Sequence, residues 1–138
     1  MKFKIASLFL VVALLLGATV AQAANWQYVT KHISKDGLVT SYYIDPSSVV
    51  KGDLNGKPAV SVMVNIRNTG KPGKGIFDHS FATQQFVIGT ADFRTISYTD
   101  YDASNHVSSE STTPSQMKTW SHKSCMEKFY ETVLKYVR

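Results

Sequence analysis

Val60-Ser61-Val62-Met63-Val64-Asn65-Ile66 decides the fold class: β-branched residues at every second position alternate with Ser, Met and Asn, the pattern of a strand with one face in a core. Upstream, Trp26 to Ile33 and Leu38 to Ile44 are short segments rich in aromatic and β-branched residues, divided by Ser34-Lys35-Asp36-Gly37. Asp-Gly suits the positive φ of a tight turn, so the spacing predicts a hairpin. Asp45-Pro46-Ser47-Ser48 then ends the second strand, because proline fixes φ and lacks a donor while Asp and Ser side chains cap turns. Gly52-Asp53-Leu54-Asn55-Gly56 reads as the next turn, and Asn68 to Gly75 as a mobile loop between strands.

Past that loop the alternation changes phase. Phe77 and Phe81 are odd-numbered, Phe86 and Ile88 even, and one extra residue near Thr83 to Gln85 would bring all four to one face, which predicts a β-bulge. Phe93 to Tyr101 continues as a strand and His106 to Thr112 as a polar one near an edge. Only the end has helical period: Met126, Phe129, Tyr130, Val133, Leu134 and Val137 lie opposite Glu127, Lys128, Glu131, Thr132, Lys135 and Arg138. Ser124 and Glu127 form a capping box. The expected fold is α+β, a single antiparallel sheet of about six strands with a C-terminal helix packed on one face, because each element has an apolar side to bury.

The amino terminus reads differently. Lys2 and Lys4 precede the apolar run Ile5 to Leu16, and Ala21-Gln22-Ala23 follows, the layout of a secretory signal peptide spanning residues 1–23. No cysteine sits at the expected cleavage point, so no lipid anchor is expected. Residues 24–138 then form one domain of 115 residues, periplasmic, surface-located or secreted, whose formal charge falls from +5 to +3 with the loss of the two leader lysines. Its lysines are spread along the chain and not gathered into a stripe, which argues against nucleic acid and leaves acidic partners such as sulfated glycans or anionic lipid headgroups.

Among candidate functional residues, Lys71 and Lys74 on the Gly70-to-Gly75 loop could reach an acidic surface; the loop lacks the spacing and terminal hydroxyl of a phosphate-binding loop. Tyr98 and Tyr101 are candidate binding aromatics, with sheet packing as the alternative. Cys125, the single cysteine, opens the helix; a free thiol, an intermolecular disulfide giving a homodimer, and a thiol nucleophile with His122 as base are the three readings. Asp100, Asp102, Ser104, Asn105 and Glu110 approach a calcium loop but lack its glycine and place the acid one position early, so a hairpin turn is expected from Tyr101 to His106. His32, His79, His106 and His122 lack paired metal-ligand spacing. No metal, cofactor or enzymatic constellation is expected.

Trp26, Tyr42-Tyr43-Ile44-Asp45-Pro46-Ser47-Ser48-Val49, the Val60 to Ile66 alternation, Phe93 to Tyr98, Trp120 and the Ser-capped final helix occur in the order seen in bacterial surface-adhesin protein E-like domains, which the chain resembles over nearly all of residues 24–138. The resemblance implies a secreted six-stranded sheet with a helix on one face, in a family whose named member binds host extracellular-matrix and plasma proteins. It also implies two departures. The resemblance implies a disulfide joining the central strand to the last helix in many relatives, whereas the matching positions here are Ile88 and about Val133, where apolar contact would substitute. The founding adhesin is a lipoprotein, and the lipid-attachment cysteine is missing. The expected function is an exported, non-enzymatic binding domain contacting extracellular protein or acidic glycan through a sheet face and its loops. The alternative is a periplasmic accessory protein holding a small apolar or peptide ligand between sheet and helix, with a hydrolase a distant third. A cavity under the helix would favour the accessory protein, and a filled core with an exposed aromatic or basic patch the adhesive one.

Overall fold

The computed structural model describes residues 25–70, 76–120 and 125–137. The leader at 1–23, Lys71 and Lys74, His122 and the capping Ser124 lie outside the described residues. Eight antiparallel strands form a curled half-barrel sheet, with one helix after them.

The longest strand, β4 (Lys57–Thr69), organises the rest. Along one side it pairs with β5 (His79–Val87); along the other it pairs end to end with β2 (Val39–Ile44) and β3 (Val50–Leu54). Asp45-Pro46-Ser47-Ser48 ends β2 at Ile44, as the sequence predicts, in a single 3-10 turn, and β3 takes up the pairing with β4 beyond it. The turn keeps the ladder satisfied. The Asp45 amide donates to the Met63 carbonyl at 3.1 Å, and the Met63 amide donates to Ser48 Oγ at 2.8 Å. Asp45 is 5% exposed, and its Oδ1 accepts from the Ser47 amide at 3.0 Å and the Ser47 hydroxyl at 2.7 Å.

β3 corrects the expected turn from Gly52 to Gly56. Gly52, Asp53 and Leu54 pair with Ala59, Pro58 and Lys57, and the turn is Asn55-Gly56 alone, with φ of 52° and 84°. Two consecutive positive φ values match a two-residue turn whose twist suits a hairpin. β1 (Gln27–Ile33) pairs with the outer side of β2, as the hairpin pattern predicts, through a turn in which Gly37 has φ 84°. Gly70 closes β4 against that turn: a Cβ there would stand 2.7 Å from the Gly37 carbonyl oxygen.

On the other side, β6 (Asp92–Tyr101) pairs with β5, and β7 (Val107–Ser111) and the short β8 (Lys118–Thr119) run along the far edge of β6. β3 and β8 account for the two strands beyond the six expected. Tyr101 to His106 is the predicted hairpin turn: Asp102 Oδ1 accepts from the amides of Ser104 and His106, both at 2.9 Å, which holds its carboxyl below the usual carboxylate range.

The helix α1 (Cys125–Leu134) covers one face. Ten residues are too few to be stable alone in water, so docking must hold it. Phe129, Tyr130 and Val133 meet Ile44, Val60, Val62, Val64 and Phe86, and Ile88 borders the same cluster. Phe86 contacts the rings of Phe93, Trp120, Phe129 and Tyr130. Each such side chain contributes about 1.5–3 kcal/mol on burial, enough together to fix the helix on the sheet.

The predicted bulge sits at the predicted level but on the neighbouring strand. β5 runs without a shift against β4, while its register against β6 jumps between Thr83 and Gln84, leaving Ile96 of β6 unpaired. The phase change therefore stays in β5: Phe86 joins the helix-covered core and Phe81 faces the other way. Both faces of this strand are covered, the second by aromatic residues that arrive from β6 and from the residue before β1.

Candidate functional site

Pairing register assembles a continuous row of side chains on the face opposite the helix. Tyr28 pairs with Tyr43, Tyr43 with Asn65, Asn65 with Phe81, Phe81 with Thr99 and Thr99 with Glu110, crossing six strands. Tyr28 and Tyr43 meet edge to face with ring centroids 5.7 Å apart. Trp26, just ahead of β1, stacks on Phe81 at 5.7 Å. In the adjacent row His79 and Tyr101 pair, their rings parallel within 8° and 4.9 Å apart, and both meet Phe81 edge to face. Asp78 Oδ2 lies 2.8 Å from His79 Nδ1 and fixes the ring.

Asn65 is the anomaly of this face. It is 2% exposed, and its Oδ1 has no hydrogen-bond partner. A buried acceptor left unpaired costs about 1–3 kcal/mol, so apolar neighbours alone do not account for an asparagine there.

Between this row and the next, made by Met63, Thr83 and Ser97, runs a groove of about 550 Å³. Phe81, Thr99 and Glu110 form one wall, Met63, Thr83 and Ser97 the other, Ser111 to Thr113 one end, and the backbone at Ala82 and Tyr98 the floor. The volume falls within the range of about 300–1,000 Å³ common for small-ligand sites. The arrangement offers one aromatic wall, several hydroxyls and a carboxylate. Among the described residues no group of three or more His, Cys, Asp or Glu is placed to hold a metal ion. A second cavity, about 530 Å³, lies between Gln27, Pro46, Val49 and Tyr136; the one buried carboxylate on it, Asp45, is already engaged by Ser47.

The sequence-predicted site residues do not gather in one place. Tyr101 belongs to the aromatic group on the open face. Tyr98 pairs with Ala82 in the opposite phase and directs its ring toward the helix side of the sheet, its hydroxyl 3.3 Å from Ser109 Oγ. Lys71 and Lys74 fall outside the described residues. Cys125 is a half-buried free thiol beside Tyr42; burial first, and then the neighbouring thiol, push the Tyr42 hydroxyl up from 10.0 to about 12. Phe81, Trp26 and Asn65 were missed as site residues. Their signal in the sequence is the odd-numbered Phe77 and Phe81, a second apolar phase that needs a second covered face.

No protein-family model, curated protein or solved structure matches the chain.

Proposed function

We propose that the chain is an exported, non-enzymatic binding domain that engages an extracellular protein or glycan through the sheet face opposite the helix. One observation carries this reading. The space between sheet and helix is filled, with Ile44, Val60, Phe86, Phe129 and Val133 at most 1% exposed, while the opposite face combines half-buried aromatics, a groove and an unpaired buried amide oxygen. A filled core removes the reason to place a ligand under the helix, and an aromatic patch on a rigid sheet is the usual setting for binding energy. The leader-like residues 1–23 and the resemblance to adhesin E-like domains support export and an adhesive role. Among the described residues no helix is long and apolar enough to cross a membrane.

The test is capture of the purified protein on immobilised extracellular-matrix proteins, plasma proteins and glycans, alongside protease treatment of intact cells. The reading expects saturable capture on at least one surface and cleavage without lysis. Capture on none would overturn it in favour of the accessory protein.

A further inference from the structure

We infer that the groove along Phe81, Thr99 and Glu110 takes a neutral pyranose unit, a proposal that rests on the binding reading above and names its ligand class. A pyranose carries C–H groups on its faces and hydroxyls around its edge, and the groove is matched to both. Phe81 supplies an aromatic wall, while Thr83, Ser97 and Thr99 supply hydroxyls that donate or accept.

Charge selects the ligand. Glu110 is the only charged residue lining the groove, and no lysine, arginine or histidine lines it among the described residues. The site is therefore rich in acceptors and poor in cations. A sulfated or uronic sugar would bring its negative charge toward Glu110 with no cation among the described lining residues to offset the repulsion, whereas the hydroxyl donors of a neutral sugar meet a carboxylate that binds them well. The acidic glycans suggested by net charge alone are thus disfavoured at this groove.

The experiment is an NMR titration of the 15N-labelled protein with methyl β-glucopyranoside, methyl β-galactopyranoside, methyl N-acetyl-β-glucosaminide and a heparin-derived disaccharide. At least one neutral pyranoside should shift the amides of Ala82, Tyr98 and Ser111 saturably, and the heparin disaccharide should not. Glu110→Gln, at an exposed position, should keep the fold and weaken the neutral sugar severalfold. Groove shifts with the heparin disaccharide alone overturn the proposal. Groove shifts with a matrix protein but no sugar overturn it while leaving the binding reading standing. A groove that responds to none of these probes, in a protein captured by no surface, ends both.

Discussion

On the helix-covered face Ile44, Val60, Val62, Val64 and Phe86 are sealed from water, and the polar Tyr130 hydroxyl accepts from the Gly89 amide at 2.9 Å. On the opposite face the same strands keep Trp26, Phe81 and Tyr101 half-buried and leave Asn65 Oδ1 buried and unpaired. Two faces of one sheet, with one backbone geometry, thus differ in how completely their groups are satisfied. One face is arranged for stability. The other forgoes some, and such a departure in an otherwise consistent fold is what the proposed binding role would account for.

The widest separation should appear between two phenylalanines five positions apart on β5. Phe86→Ala removes a 0% exposed ring from a cluster of four others and should cost about 3–5 kcal/mol. Phe81→Ala, at a half-buried position, should cost about 1–2 kcal/mol, a value set by lost ring pairing and partial burial. Urea midpoints at unchanged slope measure both. Equal losses would erase the distinction between the faces.

Asp45→Ala probes the turn that lets β2 and β3 share β4. Its carboxylate accepts two hydrogen bonds at a 5% exposed site, and their loss should destabilise the fold by about 2 kcal/mol. A parent-like midpoint would mean that the interruption is fixed by proline and the serine hydroxyls without the acid.

Asn65→Leu should be neutral or stabilise by up to about 1 kcal/mol, since the unpaired acceptor is removed at similar volume. That sign is unusual for a position 2% exposed, and it separates an asparagine kept for binding from one kept for structure. A loss of 2 kcal/mol or more, about the value for a satisfied buried polar group, would give Asn65 to the architecture.

The smallest effect concerns pH. Tyr42 has its hydroxyl pKa raised from 10.0 to about 12 in the folded chain, so the fold favours the neutral phenol. The resulting stabilisation is fully present below pH 10 and is lost as pH rises toward 12. Tyr42→Phe cannot ionise, so its stability should fall less steeply than the parent's across that window in denaturant titrations. Parallel pH profiles would remove Tyr42 as a contributor.

Much of this arrangement was legible in the residues, and the gaps have physical causes. Val60 to Ile66, the Asp36-Gly37 hairpin and the helical period after Met126 each declare themselves within a short window, because pattern and turn chemistry agree locally. β3 did not, since Gly52 and Asp53 favour turns and only pairing with β4 makes them a strand. The phase change at Phe81 was visible, but its cause was not: a bulge could have restored a single face, and the alternative needed Trp26 and Tyr101 to arrive from distant segments. Asn65 occupies the polar phase of its strand and reads as solvent-facing. Its burial follows from its neighbours in the register, Tyr43 and Phe81, which no local pattern supplies. Tyr98 and Tyr101, three positions apart, alternate to opposite faces, and only the pairing with β5, Tyr98 with Ala82 and Tyr101 with His79, tells which of the two faces the helix covers.

The most direct measurement of the claim that the open face binds is capture by paired variants on whichever matrix, plasma-protein or glycan surface retains the parent. Thr99→Arg places a long charged side chain in the groove wall, and Glu131→Arg changes charge on the exposed side of α1. With both variants melting like the parent, Thr99→Arg should lose at least tenfold in affinity and Glu131→Arg should bind as the parent does. Parent-like capture by Thr99→Arg, or a loss confined to Glu131→Arg, would contradict the account.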